Sequence, residues 1–154
     1  MVKTVAIASD HAGYELKAVL HPWLGKEGFT VVDLGAFDGT QSVDYPDFAA
    51  RLARGILEKE YEMGILVCGT GIGMAIMANR FPQVRAANCH SDFTARLARE
   101  HNDANVLTLG SRVVAAEFAK AIVAAFLKTE YAGPASRHQR RIDKLEALAP
   151  NGGK

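Results

Sequence analysis

The chain contains 154 residues, of which 49% are hydrophobic and 23% are charged, and this composition excludes a disordered or fibrous chain. A chain of this length buries roughly 70% of the surface that its unfolded form exposes, so a single domain over residues 1–149 needs neither disulfides nor a structural metal. The tail 150–154 is expected to fray. The net charge of +1 provides no global field that would attract nucleic acid or an anionic membrane.

The sequence carries no signal for export or membrane insertion. Its N-terminal apolar run is too short for a signal peptide, and no stretch approaches the ~20 apolar residues of a membrane span. We therefore expect a cytoplasmic protein. The two cysteines, Cys68 and Cys89, lie in no metal-binding or disulfide spacing, so neither a zinc site nor a disulfide framework is favoured.

Short β-branched runs alternate along the chain with longer segments of helical period, which is the pattern of a parallel sheet covered by helices. The predicted strands cover 4–8, 30–34, 64–67, 84–88 and 106–109. The predicted helices cover 13–26, 46–59, 73–80, 92–101, 113–129 and 137–149. The sequence thus predicts a single-domain, three-layer α/β fold with a Rossmann-like (flavodoxin-like) five-stranded parallel sheet, helices on both faces and a C-terminal helix.

In sheets of this kind, ligands bind beyond the carboxyl ends of the strands. The segment 68–73 (CGTGIG) follows the third predicted strand there, and its glycines can direct several N–H groups into one anion-binding concavity. The spacing fits no Walker loop, dinucleotide fingerprint or CxxxxxR loop, because Met74 occupies the decisive position. Amides beside Cys68 favour its thiolate, which makes it a candidate base or nucleophile. A buried cysteine packed as a small hydrophobe is an equal alternative.

Two histidines adjoin other predicted strands. Asp10 and His11 follow the first strand and can reach the same crevice as Cys68, although Asp10 could equally cap the next helix. His101 ends the fourth predicted helix, where an isolated histidine is commonly a solvated residue near the negative end of the helix dipole.

A basic cluster at 137–141 (RHQRR) opens the last predicted helix. Arg137 and Arg141 are spaced i, i+4, so both fall on one helical face and could grip a phosphate with two guanidinium groups. Arg112, which follows the fifth predicted strand, could join them. A solvated face that pairs with Asp143 and Glu146 is the common alternative.

Taken together, these segments resemble ribose-5-phosphate isomerase type B, within the family that also contains the galactose-6-phosphate isomerase subunits. The matching stretches are 9–13 (SDHAG), 44–46 (DYP), 68–73 (CGTGIG), 101–107 (HNDANVL), 110–112 (GSR) and 137–139 (RHQ) with Arg141. They run from the first predicted strand to the last predicted helix, so the resemblance covers nearly the whole chain.

The resemblance implies an aldose–ketose isomerase that uses no metal or other cofactor and acts on a phosphorylated sugar through an enediolate. In that family, the residue matching Cys68 removes the proton next to the carbonyl, the residue matching Thr70 assists proton movement at the sugar oxygens, and the one matching His101 opens the ring. The implied substrate-binding residues are Asp10, His11, Tyr45, Gly69, Gly71, Ile72, Gly73, Asn102, Arg112, Arg137 and Arg141. Among them, His11, Arg137 and Arg141 match phosphate contacts.

The resemblance also implies a homodimer or a dimer of dimers in which neighbouring subunits share each site, with no nucleic-acid or membrane partner. One branch of the family uses a glutamate as base at the position of Met74, so this chain is left with Cys68. The expected reaction interconverts ribose 5-phosphate and ribulose 5-phosphate. The same chemistry on erythrulose 4-phosphate or galactose 6-phosphate is one alternative, with the loop 36–43 expected to affect the choice, and a non-catalytic phosphate- or nucleotide-binding module is another.

Overall fold

A computed structural model describes residues 4–148 of the protein. The strands are β1 (Thr4–Ser9), β2 (Thr30–Asp33), β3 (Met63–Cys68), β4 (Ala86–Asn88) and β5 (Val106–Gly110). The helices are α1 (Tyr14–Lys26), α2 (Tyr45–Leu57), α3 (Ile72–Ala78), α4 (Asp92–Asn102), α5 (Ala116–Lys128) and α6 (Gln139–Leu148). The tail 150–154, which is expected to fray, lies outside the described residues, as does the predicted helix end at 149.

The five strands form one parallel sheet in the order β2-β1-β3-β5-β4. The central strand β3 is buried along its whole length, as expected for a parallel strand covered on both faces. Its last residues pair with Ser9 on one side and with Gly110 on the other. The register therefore brings the segments that follow β1, β3 and β5 together at one edge of the sheet.

The core consists of two layers, one on each face of the sheet. Residues from α1, α4 and α5 pack against one face, with Leu20 and Phe126 fully buried there. Residues from α2 and α3 pack against the other face, with Leu52 and Met74 fully buried. The predicted three-layer α/β fold is therefore confirmed. Within residues 4–148, no helix is both long and apolar enough to cross a membrane.

The last helix begins later than the sequence predicts. The first helical carbonyl is that of His138, which accepts hydrogen bonds from the N–H groups of Arg141 (2.9 Å) and Ile142 (3.1 Å). A turn over residues 133–136 precedes it, so Arg137 lies outside the helix. The prediction that Arg137 and Arg141 share a helical face is therefore wrong, although both remain close to the start of α6.

Helix α6 is fixed beside β4, the outermost strand of the sheet on that side. Arg85 pairs with Glu146 of α6 and also with Asp103, which caps α4. The Gln83 N–H donates a second hydrogen bond to Glu146 (3.2 Å). On the inner face of α6, the side chain of Ile142 is buried. Because the same arginine contacts both helices, the last turn of α6 is held near the end of α4.

Candidate active site

A cavity of about 300 Å³ opens where the carboxyl ends of β1, β3 and β5 meet. It lies between β1 and β3, from which the chain continues in opposite directions across the sheet, and this is the usual ligand position in open α/β sheets. The cavity is lined by Asp10, His11, Ala12, Tyr45, Cys68, Gly69, Thr70, Gly73 and Arg112. Eight of the predicted site residues thus lie around one space.

The glycine loop holds the Cys68 sulfur through a backbone amide. The Gly71 N–H donates a hydrogen bond to Cys68 Sγ at 3.1 Å, and Cys68 is 5% exposed. Gly71 has φ of +80°, and a Cβ there would lie 2.4 Å from Asn88 Oδ1, so this turn requires glycine. The amide donor and the glycine turn therefore fix the position of the Cys68 sulfur beside the cavity.

Tyr45 packs directly over the loop. A Cβ on Gly73 would lie 2.6 Å from the Tyr45 ring, so the absence of a side chain permits this contact. Gly73 belongs to the first turn of α3, where amides have no intrahelical partner. The Ile72 N–H is already used, because it donates to Thr70 Oγ1 at 3.3 Å. The Gly73 amide is therefore a donor that the first turn can offer to a ligand beside Tyr45.

Asp10 and His11 are both fixed by local contacts. Asp10 is buried and lines the cavity, and its Oδ1 accepts the Gly13 N–H at 2.9 Å in the turn that precedes α1. The N-cap of α1 is Gly13 and no side chain caps this helix, so the prediction that Asp10 caps it is wrong. His11 Nδ1 accepts the Val43 N–H at 3.2 Å. An accepting Nδ1 leaves Nε2 as the donor, which suits contact with an anionic oxygen.

Arg112 contributes a positive charge beside the thiol. Its N–H donates to the Gly69 carbonyl at 3.1 Å, and its guanidinium lies against Gly69, where a Cβ would be 3.4 Å from Nη1. The Ser111 N–H similarly donates to the Cys68 carbonyl at 2.8 Å. The segments after β3 and β5 are thus joined, and the guanidinium is held next to the glycine loop.

The predicted ring-opening histidine lies at the opposite edge of the sheet. Helix α4 begins just after β4 at the carboxyl edge and, with 11 residues, extends about 16 Å to the amino edge. His101 lies in its last turn, and its ring stacks on that of His138, with 4.2 Å between ring centroids and an angle of 10° between planes. Asn102 lines a separate cavity under α6, of about 500 Å³.

Arg137 and Arg141 lie with His138 at this second edge. Neither arginine forms an ion pair with any residue in 4–148, and the two carboxylates that could have neutralised them point elsewhere. Asp143 accepts from Gln139, while Glu146 pairs with Arg85. The arginines therefore remain available to an external anion, but Arg112, at the Cys68 edge, does not join them within one chain.

Some contacts at the site have no clear sequence signal. The amide of Val43 reaches His11 from a loop that shows no periodicity, and a three-dimensional structure is needed to find it. The stacking of His138 on His101 joins two helix ends that are far apart in sequence. The sequence signal for this contact is the position of His138 next to Arg137 in the basic cluster. Within residues 4–148, no three His, Cys, Asp or Glu side chains converge as a metal site.

A parallel α/β sheet with a glycine loop, a hydrogen-bonded thiol and a nearby guanidinium at its carboxyl edge is the arrangement of an enzyme that acts on a small anionic substrate. The sequence pattern of the Ribose/Galactose Isomerase family matches residues 5–145. The chain therefore belongs to the Ribose/Galactose Isomerase family.

Individual relatives agree with this assignment. The chain is 42% identical over 147 residues to ribose-5-phosphate isomerase B of Escherichia coli, covering 96% of this chain and 97% of that one. It is 41% identical over 133 residues to D-erythrulose-4-phosphate isomerase of Pectobacterium atrosepticum, covering 86% and 88%. A solved structure of a ribose 5-phosphate isomerase from Thermotoga maritima superposes with a TM-score of 0.91 at 47% identity, covering 95% and 99%.

These relationships confirm the resemblance predicted from the sequence. The protein is a sugar phosphate aldose–ketose isomerase, an enzyme of carbohydrate metabolism, and a sugar phosphate is the substrate that its family implies. The alternative of a non-catalytic binding module is thereby disfavoured.

Proposed function

We propose that this enzyme interconverts D-ribose 5-phosphate and D-ribulose 5-phosphate through an enediolate, with Cys68 as the base. The single observation that carries the proposal is the hydrogen bond from the Gly71 amide to Cys68 Sγ inside the cavity. A general base must be held within reach of the proton that it removes, and the Gly71 amide holds the Cys68 sulfur beside the cavity in this way. Met74 is fully buried in the core, so that position supplies no carboxylate as a second base.

The glycine loop would stabilise the negative oxygen of the enediolate. Preorganised N–H donors of this kind contribute about 3 kcal/mol each to transition-state stabilisation. Gly73 offers such an amide, and Gly69, Gly71 and Ile72 shape the loop that presents it. Thr70 Oγ1 accepts the Ile72 amide, which leaves the hydroxyl proton free to move between the sugar oxygens.

The phosphate and the sugar ring would be bound by groups from both edges of the sheet. In this proposal His11 and Arg112 contact the substrate from the Cys68 edge, beside Asp10 and Tyr45. His101, Asn102, Arg137 and Arg141 lie at the other edge of the same sheet. A single chain cannot bring these groups to one sugar, because about 16 Å of helix separates the two edges.

We therefore propose a homodimer, alone or paired into a dimer of dimers, in which a second copy of the chain supplies His101, Asn102, Arg137 and Arg141. In support, Ile72 and Ile76 of α3 lie one turn apart beside the Cys68 loop and are 54% and 56% exposed. Large apolar side chains exposed next to a site are typical of a surface that a partner covers. Within such a dimer, Arg137 and Arg141 of one copy would bind the phosphate and thereby orient the sugar at the thiol of the other copy.

D-erythrulose 4-phosphate is the second candidate substrate, since the relative named for that activity is 41% identical to this chain. Galactose 6-phosphate also remains a candidate through the family. These sugars differ in length, and we propose that the loop 36–43, whose Val43 amide contacts His11, limits that length.

Steady-state kinetics on the three sugar phosphates tests the proposal. A pocket built for one chain length loses about 1–3 kcal/mol of transition-state binding for each missing or additional carbon, so kcat/KM for ribose 5-phosphate should exceed the others by roughly tenfold or more. A higher kcat/KM for either alternative sugar would contradict the assigned substrate while leaving the isomerase chemistry in place.

A further inference from the structure

The contact between His138 and His101 has no role in the function proposed above. The two rings lie 4.2 Å apart between centroids and are nearly parallel, at 10°. At this separation the imidazole faces are in van der Waals contact. The contact joins the last turn of α4 to the residue that immediately precedes α6.

The backbone fixes the position of His138. Its carbonyl accepts hydrogen bonds from the N–H groups of Arg141 and Ile142, which start α6. Ile142 is 5% exposed, and the Glu146 to Arg85 ion pair fastens the helix further along. His138 therefore presents its ring to His101 from a helix end that the protein holds in place.

The stack leaves the ring edges free. Within residues 4–148, neither His101 nor His138 has a hydrogen-bond partner for its ring nitrogens. The plane of each imidazole is thus set by the neighbouring ring, and no side chain occupies the nitrogens. A histidine that exchanges a proton with a sugar oxygen needs this combination of fixed orientation and an unoccupied nitrogen.

The charges around His138 disfavour its protonation. Partial burial lowers the pKa of His138, and the nearby His101, Arg137 and Arg141 lower it further, whereas Glu100 opposes them. These groups face His138 from the end of α4 and from the start of α6. Two stacked imidazoles that both carried charge would repel each other, so the stack also opposes protonation of His138.

We infer that His138 is a positioning residue for ring opening: its ring stacks on His101 and holds that imidazole in the plane from which it exchanges a proton with the sugar ring oxygen. This inference rests on the proposed function, in which His101 opens the ring. His138 acts through His101, and it leaves the proton transfer at Cys68 unaffected.

Two measurements separate ring opening from proton transfer at carbon. Isomerisation of ribose 5-phosphate requires ring opening, because this aldose is mostly cyclic. Ribulose 5-phosphate stays open chain, because phosphate occupies the O5 that would close its ring. Exchange of its C1 hydrogen with deuterium oxide, followed by NMR, therefore reports enolisation at Cys68 without ring opening.

The variants are His138→Asn, which removes the stack, His138→Phe, which keeps an aromatic face, and the control His21→Asn on α1. We expect His138→Asn to lower kcat for ribose 5-phosphate about tenfold, as for a catalytic group held loosely, with hydrogen exchange within about twofold of the wild type. His138→Phe should recover most of kcat, and His21→Asn should change neither rate.

Three outcomes overturn the inference. The first is that His138→Asn matches the wild type in both rates, and the second is that it loses both rates equally. The third is that His138→Phe is no better than His138→Asn. A wild-type enzyme that exchanges no C1 hydrogen would instead contradict the proposed function itself, and the inference with it. The two failures are therefore distinguished by the wild-type exchange rate.

Discussion

Cys68 and His101 lie at opposite edges of the same five-stranded sheet. Cys68 ends β3 at the carboxyl edge, whereas His101 lies in the last turn of α4, which has crossed the sheet to the amino edge. In the proposed reaction both residues act on one sugar, so the distance between them makes the second copy of the chain part of the mechanism.

Replacing Cys68 with Ala should abolish enolisation. General base catalysis contributes about 10²–10⁴-fold to the rate, so kcat should fall by roughly a thousandfold. The exchange of the C1 hydrogen of ribulose 5-phosphate should fall in parallel, because it needs the same base. Both rates can be followed in one NMR experiment.

The other cysteine provides the matched control. Cys89 is buried in the core on the opposite side of the sheet from α3, and burial raises the pKa of its thiol. A Cys89→Ala variant should therefore retain the wild-type kcat. Full activity in Cys68→Ala, or equal losses in the two variants, would refute the assignment of the base.

Replacing Gly71 with Ala should damage both stability and catalysis. The position has φ of +80°, and the new Cβ would lie 2.4 Å from Asn88 Oδ1 and 2.9 Å from the Leu109 backbone. We expect a loss of about 2 kcal/mol or more in the free energy of unfolding, measured by urea denaturation. Movement of this turn also removes the amide from Cys68, so kcat should fall.

Gly25 gives a contrasting substitution within α1. A Cβ there would meet nothing within 4 Å, so Gly25→Ala should raise the free energy of unfolding by up to about 1 kcal/mol with no change in kcat. If Gly71→Ala were as well tolerated as Gly25→Ala, the loop geometry described for the site would be wrong.

Tyr61 should make stability fall at high pH. Burial, reinforced by Glu60 and Glu58, raises the pKa of Tyr61 to about 12, and its hydroxyl donates to the Leu52 carbonyl at 3.0 Å. Between pH of about 10 and about 12, the folded state keeps this proton while the unfolded chain releases it. The free energy of unfolding should therefore decrease as pH rises, by at most about 1.4 kcal/mol per pH unit.

Urea denaturation between pH 9 and 11 measures this slope, and Tyr61→Phe is the control. The phenylalanine variant has no hydroxyl to titrate, so its slope in this range should be smaller than that of the wild type. Identical slopes in the two proteins would show that another group is responsible.

Much of the fold could be predicted because its signals are local. Every predicted strand and helix is present, since β-branched runs, helical periodicity and glycine turns each act over a few residues. The order β2-β1-β3-β5-β4 was not predictable in this way, because it depends on pairing between distant segments. The predicted start of α6 was also too early. A turn over residues 133–136 precedes the helix, whose first carbonyl is that of His138, and this turn has no strong sequence pattern.

The candidate site was predictable in part for the same reason. The Cys68 loop and Asp10 follow their strands directly, so the sequence indicates where they lie. The separation of His101 from Cys68 depends on the direction of α4 across the sheet. The stacking of His138 on His101 depends on the packing of α6, which no single stretch of sequence specifies.

Subunit complementation tests the shared site most directly. One chain carries Cys68→Ala, and the other carries His101→Asn together with Arg141→Ala, so that each is inactive alone on ribose 5-phosphate. After unfolding and refolding an equal mixture, half of the dimers are mixed, and each mixed dimer has one intact site if sites are shared. A shared site therefore predicts recovery of about a quarter of the wild-type activity. A mixture as inactive as its separate components would contradict it.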